Sequence, residues 1–227
     1  MKSVVLLSGG LDSTTNLYQA TKESEVLLAL TFDYGQRAVK KEILAAENLC
    51  KSLGVKHKIL SIPWIKDFGH SSLTNSLLKI PQGKDVSIDN YEQSLKTASS
   101  VWVPNRNGIL LNIAAGFAES LGAQQVIPGF NLEEAQTFPD NSEDYLKALT
   151  QSLFFSTANK VITHCYTTSL DKTEMVALAI KLNVPFELLW PCYFDESKWC
   201  GHCESCLRFK RALTKNNILD QYQSYFN

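Results

Sequence analysis

Short runs of apolar residues alternate along this chain with longer stretches whose apolar positions repeat at helical spacing. Val4–Leu7, Val26–Phe32 and Lys58–Ile62 are predicted strands, and Gln125–Ile127 and Val161–Ile162 are predicted shorter ones. Apolar strands that alternate with helices are typical of a parallel sheet covered on both faces. The pattern therefore predicts an α/β fold with an open, parallel, five-stranded-type sheet and helices on both faces.

The stretches between these strands carry helix start and end signals. The predicted helices are Ser13–Thr21, Arg37–Leu53, Asn107–Leu121, Ser142–Phe155, Asp171 to about Leu182, and Cys206–Lys215. Gly54 and Gly122 stand where a left-handed cap belongs, and Asp171 begins a capping-box sequence. Residues 66–100 lack periodicity and are predicted to be a long surface excursion, and residues 128–141 are predicted to be a loop.

The bulk composition is that of an ordinary globular protein. The length of 227 residues suits one domain with a small appendage, and we expect a main domain over residues 1–185 with a C-terminal segment, 186–227, packed on it. The formal net charge of −1 makes direct nucleic-acid binding a weak expectation. The sequence contains no run of about 18 apolar residues and no secretion signal, which predicts a cytoplasmic protein without a membrane span.

The loop between the first strand and the first helix is a candidate anion site. The first turn of a helix has unpaired N–H groups and a partial positive charge, and glycines let the main chain approach a ligand. The loop residues are Leu7, Ser8, Gly9, Gly10, Leu11, Asp12, Ser13 and Thr14. Its hydroxyls can donate to phosphate, and Asp12 is interpreted as a helix cap or a Mg²⁺ contact. The alternative is an ordinary tight turn, and the Lys of a Walker A loop is absent.

The Ser-Gly-Gly-Leu-Asp-Ser sequence of this loop resembles the pyrophosphate-binding loop of the ATP-pyrophosphatase (PP-loop) superfamily. Members use ATP to adenylate a carbonyl or carboxylate oxygen, which a nitrogen or sulfur nucleophile then displaces. The resemblance implies an adenine nucleotide alpha-hydrolase-like fold and ATP with Mg²⁺. In such a sheet the ligand lies at the carboxyl ends of the strands. The end of the second strand then supplies further nucleotide contacts, namely Phe32, Tyr34, Gly35 and Gln36, although a plain solvent loop is the alternative.

Four of the six cysteines form a metal-binding pattern near the C-terminus. Cys192, Cys200, Cys203 and Cys206 have the spacing C-x7-C-x2-C-x2-C, which matches a tetrahedral four-sulfur site. Zn²⁺ is favoured over an iron–sulfur cluster, one ion per chain. Because four protein ligands leave no open coordination position, the site is predicted to be structural. The appendage is thus a small zinc-bearing helical segment.

Taken together, the N-terminal loop and the cysteine cluster resemble the 7-cyano-7-deazaguanine synthase family of the queuosine and archaeosine pathways. The matching segments span essentially the whole chain: LLSGGLDSTT, FDYGQR, VPNRNGILL, PGFNLEEAQTFPDNS, DKTEM, and WPCY followed by CGHCESCLRFKRA. The resemblance implies conversion of 7-carboxy-7-deazaguanine and ammonia to a nitrile through adenylated intermediates and an amide. It also implies a homodimer. Ala38, Glu134 and Asn141-Ser142 depart from the common family pattern.

The implied chemistry assigns roles to particular residues. Charge developing on the phosphates requires fixed donors and counter-charges, for which the candidate catalytic residues are Asp12, Ser13, Arg106 and Lys172. The candidate substrate contacts are Asn105, Arg106, Asn107, Glu133, Glu134, Phe138 and Asp140. Carboxylates match the guanidine-like edge of a deazaguanine, and an aromatic ring can stack on it. The alternatives are helix caps, a surface arginine, a solvated acidic loop and a core aromatic ring.

Two other functions fit the same motifs. One is a PP-loop enzyme that modifies tRNA, of the thiolase or lysidine type, which the near-neutral charge and the lack of an added RNA-binding domain disfavour. The other is a zinc-stabilised nucleotide-binding module without catalytic activity. We therefore predict a small-molecule synthase.

Overall fold

The computed structural model describes all residues, 1–227, and contains five parallel strands surrounded by helices. The strands are β1 Lys2–Leu6, β2 Glu25–Asp33, β3 His57–Ser61, β4 Gln125–Ile127 and β5 Ile162–Thr163. The helices are α1 Leu11–Glu23, α2 Val39–Leu53, α3 Tyr91–Val101, α4 Arg106–Ser120, α5 Leu132–Ala135, α6 Glu143–Ser156, α7 Lys172–Lys181, α8 Glu204–Lys215 and α9 Leu219–Tyr222.

The strand order is β3-β2-β1-β4-β5, and every neighbouring pair is parallel. The chain leaves β1 for β2 on one side, and β4 joins β1 on the other. The order therefore reverses at β1, and a crevice opens at the carboxyl ends of β1 and β4, where open α/β sheets bind their ligands. The predicted open five-stranded parallel sheet is confirmed.

Adjacent residues of β1 point to opposite faces of the sheet, and each face has its own helical cover. Val4 packs in a core with α4, whose buried side chains include Leu111 and Ala114. Val5 packs on the other face with Leu17 of α1 and Ala46 of α2. Both valines are fully buried, so the sheet is covered on both sides as the apolar strands predict.

The C-terminal segment has a core of its own that reaches the main sheet layer. Trp199 and Phe209 pack with the four cysteines and with residues of α1 and α7. The main-chain N–H of Trp190 also donates to the carbonyl of Gly9, with an N–O distance of 2.9 Å. This hydrogen bond fastens the segment to the loop after β1. The division of the chain at residue 185 stays a prediction.

The predicted helix ends agree closely with the structure. Gly54 and Gly122 both have positive φ, and Asp171 forms a complete capping box with Glu174. The last predicted helix begins at Glu204 rather than at Cys206. None of the helices combines the length and the apolar composition needed to cross a membrane.

The prediction of an irregular surface excursion over residues 66–100 is wrong at its C-terminal end, where α3 forms. Asn90 caps this helix by accepting a hydrogen bond from the Gln93 N–H. The side chains that α3 buries are Ser94, Thr97, Ala98 and Val101, of which only Val101 is a sizeable apolar group. Such a face carries no hydrophobic periodicity, which is why the sequence pattern did not reveal it. The loop predicted over residues 128–141 likewise contains two helical turns, α5 and the 3₁₀ turn Pro139–Asn141.

Candidate active site

A cavity of about 260 Å³ opens at the carboxyl ends of β1, β2 and β4. Its walls come from segments far apart in sequence, including the start of α4 and residues 190–193 of the C-terminal segment. The predicted site residues in its lining are Leu7, Ser8, Gly10, Leu11, Asp12, Ser13, Phe32, Tyr34, Gln36, Arg106, Asn107, Glu134, Phe138 and Lys172. The fold thus brings most of the candidate residues into one cavity.

The remaining candidates lie behind or beside the cavity wall. Gly9 packs against Ala45 of α2, and the side chain of Thr14 is fully buried beneath the loop. Gly35 is exposed at the turn after β2. Asn105 is the exposed residue that precedes α4, in a left-handed conformation with φ of 51°. These residues shape the backbone around the cavity without lining it.

The loop after β1 is held by its own hydroxyl groups. The Ser13 hydroxyl accepts a hydrogen bond from the Ser8 N–H at 3.1 Å and lies 3.1 Å from the Ser8 hydroxyl. Gly10 precedes the helix without any side-chain cap. The interpretation of Asp12 as a helix cap is therefore wrong, because its carboxylate points away from the helix and into the cavity wall. Ser8, Ser13 and the start of α1 line the cavity, an arrangement typical of anion sites.

Gly129, which follows β4, lies directly against this loop. A Cβ atom at Gly129 would stand 2.4 Å from the Ser13 nitrogen and 2.5 Å from its Cα. We expect Gly129→Ala to displace the loop and to lower the free energy of unfolding by about 1–3 kcal/mol, as measured by urea denaturation. Gly116→Ala in α4 is the matched control, since no atom lies within 4 Å of a Cβ there. A Gly129→Ala variant as stable as this control would show that the contact is not tight.

Lys172 is the centre of a buried ion cluster that joins three segments. Its Nζ atom lies 2.6 Å and 2.7 Å from the two carboxylate oxygens of Asp12 and 2.9 Å from Oε1 of Glu134. The Asn131 amide donates to Asp12 at 2.8 Å. The lysine side chain is only 6% exposed. The cluster therefore fixes the first turn of α1, α5 and α7 relative to one another.

The cluster contains two carboxyl groups and one basic group. Burial alone would lower the pKa of Lys172, but the carboxylates of Asp12 and Glu134 outweigh it and raise that pKa. The lysine thus stays protonated between two carboxylates, and the cluster carries one negative charge when both are ionised. The position of Lys172 in the first turn of α7 opposes the helix dipole, and these two acids compensate for it.

Arg106 is a second charged group in the cavity wall. Its guanidinium donates to the Tyr34 hydroxyl at 3.2 Å and to Oδ1 of Asn107 at 3.2 Å. Asp140 lies behind it, where burial raises the pKa of the carboxyl group while Arg106 opposes that rise. Phe138 stacks on Trp102, with ring centroids 6.0 Å apart and planes within 7°. Arg106 is therefore a fixed cation aimed at the cavity.

Glu42 is a cavity residue that the sequence analysis missed. It lies in the first turns of α2, and its Oε2 accepts a hydrogen bond from the Gln36 amide at 2.7 Å. Burial raises its pKa to about 7, against smaller opposing effects of Gln36 and Arg106. The sequence signal that could have identified Glu42 was its position, because Glu42 falls on the same helix face as the buried residues Ala38 and Ala45. An acidic residue on an apolar helix face indicates either a specific polar partner or a functional role.

The raised pKa of Glu42 predicts a pH-dependent cost to stability. An acid whose pKa is higher in the folded state binds protons there that the unfolded chain has released, so stability falls as pH rises from 4.5 to about 7. We expect Glu42→Gln to raise the free energy of unfolding above pH 7 by about 1–3 kcal/mol, after allowance for partial solvation. At pH 4 the variant and the parent should unfold alike in urea, and a pH-independent difference would contradict the assignment.

Glu133 lies outside the cavity and faces the C-terminal helix. Arg208 donates to it at 2.6 Å and Arg211 at 2.5 Å, and the main-chain N–H of Lys172 donates at 3.0 Å. Burial disfavours its ionisation, but these donors outweigh burial and lower its pKa. Arg208 also pairs with Glu204 of α8 at 2.8 Å. The predicted substrate contact does not fit this arrangement, because both oxygens of Glu133 already bind arginine.

The four cysteines converge as their spacing predicts. All are buried, and their sulfur atoms lie within 4.8 Å of one another. Main-chain N–H groups donate to two of the sulfurs: those of Phe194 and Cys200 to Cys192, and that of Cys203 to Cys200, at 3.3–3.4 Å. A tetrahedral ion with metal–sulfur bonds of about 2.3 Å separates its ligands by about 3.8 Å. The separation between Cys200 and Cys206 is 3.9 Å, so the cluster can hold a metal ion.

Comparison with known proteins gives one consistent result. A family model described as "Queuosine biosynthesis protein QueC" matches residues 2–217. A 7-cyano-7-deazaguanine synthase from Bdellovibrio bacteriovorus is 59% identical, over 96% of this chain and 94% of that protein. One from Methanosarcina mazei is 42% identical, over 97% and 96%. NMN synthetase from Francisella tularensis has a TM-score of 0.50 at 15% identity, over 98% of this chain and 85% of that one, a likeness of fold alone.

Proposed function

This chain belongs to the QueC family of queuosine biosynthesis proteins, and from that membership we propose that it is an ATP-dependent ligase that makes 7-cyano-7-deazaguanine from 7-carboxy-7-deazaguanine and ammonia. The observation that carries the proposal is the single cavity in which a PP-loop-like turn, Arg106 and Lys172 meet. The match to relatives named 7-cyano-7-deazaguanine synthase supports this activity over a tRNA-modifying enzyme and over a non-catalytic nucleotide-binding module.

The loop after β1 is the proposed site of the ATP phosphates. The hydroxyls of Ser8 and Ser13 and the N–H groups that begin α1 would donate to the phosphate oxygens. Phe32, Tyr34 and Gln36 would border the rest of the nucleotide. We propose that Mg²⁺ accompanies the phosphates, with Asp12 as its protein contact. Asp12 must share its carboxylate with Lys172 and Asn131 to do so.

The chemistry requires two activations of one carbon atom. The substrate carboxylate oxygen first attacks the α-phosphate of ATP and pyrophosphate leaves. Ammonia then displaces AMP from the acyl adenylate to give the amide. Activation of the amide oxygen in the same way and loss of AMP then give the nitrile. Arg106 and Lys172 would stabilise the negative charge that develops on the phosphates. Glu134, Asn107, Phe138 and Asp140 remain proposed substrate contacts, Asp140 acting next to Arg106.

The cysteine cluster is the proposed site of one structural Zn²⁺ per chain, because buried thiolates with N–H donors suit that ion. The ion would hold residues 190–193 against the cavity and take no part in the reaction. We further propose a cytoplasmic homodimer that acts on small molecules and not directly on nucleic acid, in line with its nearly balanced charge.

The test is the identity of the product. Purified protein supplied with 7-carboxy-7-deazaguanine, ATP-Mg²⁺ and ammonium should form the nitrile, detected by mass spectrometry. Ser13→Ala should lower the rate by about 10²-fold, because it removes a phosphate donor and the hydroxyl that positions Ser8. Ser120→Ala, at the exposed end of α4, is the matched control. Absence of nitrile from the unmodified protein would refute the proposed function.

A further inference from the structure

Glu42 differs from every other acid that lines the cavity. The cavity wall contains three carboxyl groups, those of Asp12, Glu42 and Glu134. Asp12 and Glu134 are both bound to Lys172. Glu42 forms no salt bridge, and its Oε1 atom receives no hydrogen bond from the protein. No histidine lines the cavity. Glu42 is therefore the one proton acceptor in this wall that a cation does not already occupy.

The surroundings of Glu42 hold its carboxyl group in place. The Gln36 amide donates to Oε2, while the carbonyl of Gln36 accepts from the Tyr34 N–H at 2.9 Å. This arrangement fixes both the amide and the acid. The groups that face Glu42 are Gln36 and Tyr34 from the segment after β2 and Arg106 from α4. Of these only Arg106 is charged, and it makes no direct contact with Glu42.

Nitrile formation places a specific demand on such a group. Every hydrogen of the incoming ammonia leaves the nitrogen before the product forms. In the final step the bond between carbon and the AMP oxygen breaks, the last N–H proton is transferred to a base, and the N–H electron pair becomes the third carbon–nitrogen bond. In each cycle the base must accept this proton and then release it to solvent, which suits a group that titrates near neutral pH.

We propose that Glu42 is the general base of the nitrogen-centred steps, accepting at Oε1 the protons that the substrate nitrogen releases. The inference rests on the proposed function and adds a catalytic residue to it. Gln36 is then a positioning residue, since it fixes the carboxyl group through Oε2. The pKa of Glu42, raised by burial to about 7, fits this task, because the group can accept and return a proton near neutral pH.

The experiment separates adenylation from proton removal by starting from the amide. With 7-carboxamido-7-deazaguanine and ATP, nitrile formation needs no ammonium, so its pH dependence does not report on the ammonia supply. We expect Glu42→Gln to lower the rate of this step at least about 100-fold. Pyrophosphate release from 7-carboxy-7-deazaguanine without ammonia should stay within about threefold of the parent, since it needs no base. Glu42→Asp should recover part of the rate, and Glu47→Gln, exposed on the same helix, should match the parent.

The pH profile supplies a second readout. The parent rate from the amide should rise with pH through about 7 and then level off, and this rise should be absent in Glu42→Gln. A Glu42→Gln variant that makes nitrile at the parental rate would overturn the inference. Equal loss of pyrophosphate release and nitrile would also overturn it, by assigning Glu42 to nucleotide binding. If the parent protein forms no nitrile from either substrate, the proposed function itself fails.

Discussion

Replacement of Lys172 by methionine is expected to lower nitrile formation by about 10²–10³-fold and to destabilise the protein by about 3–5 kcal/mol. The lysine is the only cation in contact with Asp12 and Glu134, and it is almost wholly buried. Methionine fills a similar volume, so the effect reports on charge. Two carboxylates would be left facing each other without a counter-ion, and one must take up a proton. Urea denaturation and steady-state kinetics measure the two losses.

A second substitution separates stability from catalysis. Adding Glu134→Gln to Lys172→Met removes one of the stranded charges and should recover much of the lost stability. It should not recover activity, because the cation itself is still missing. Lys181→Met, exposed in the last turn of the same helix, should change neither property appreciably. Full activity in the Lys172→Met variant would show that the cluster is only structural.

The sheet could be predicted from sequence because its information is local. Val4, Val5 and the apolar run of β2 have the continuous hydrophobicity that only a strand buried on both faces requires. The cysteine spacing is equally local, and the four sulfurs meet as expected. In contrast, α3 was not predicted because two of its four buried side chains, Ser94 and Thr97, are hydroxylated and a third is only alanine. Thr97 finds its partner in Glu204, 107 residues later.

The predictions for Asp12 and Glu133 failed for a different reason, which is that the partners of these residues are distant in sequence. Asp12 resembles a cap until Lys172 is placed against it, 160 residues further on. Glu133 resembles a substrate contact until Arg208 and Arg211 are seen to bind it. The sequence indicates that a carboxylate stands in the right region. It does not show which neighbour satisfies the charge, because that depends on how α5, α7 and α8 pack together.

Removal of the proposed Zn²⁺ from the cysteine cluster is expected to unfold the C-terminal segment and to abolish activity. Structural Zn²⁺ binding contributes about 10–16 kcal/mol, which is comparable with the entire stability of a domain. The cluster joins the irregular segments at Cys192 and Cys200 to the start of α8, and Trp199 and Phe209 pack around it. Cys206→Ala should therefore lose the metal, as measured by elemental analysis, and lower the Tm markedly. Cys50→Ala, buried outside the cluster, should keep the metal.

The loss of activity should arise through the loop after β1, and this can be measured directly. The main-chain N–H of Trp190 donates to the Gly9 carbonyl, and Trp190 and Cys192 line the cavity, so a loosened segment removes one wall of the proposed ATP site. Chelation of the parent protein should weaken ATP binding in calorimetry together with a change in tryptophan fluorescence, and added Zn²⁺ should restore both. In Cys206→Ala added Zn²⁺ should restore neither. Unchanged ATP binding after complete metal removal would show that the segment holds its place without the ion, and that its hydrophobic contacts with α1 and α7 suffice.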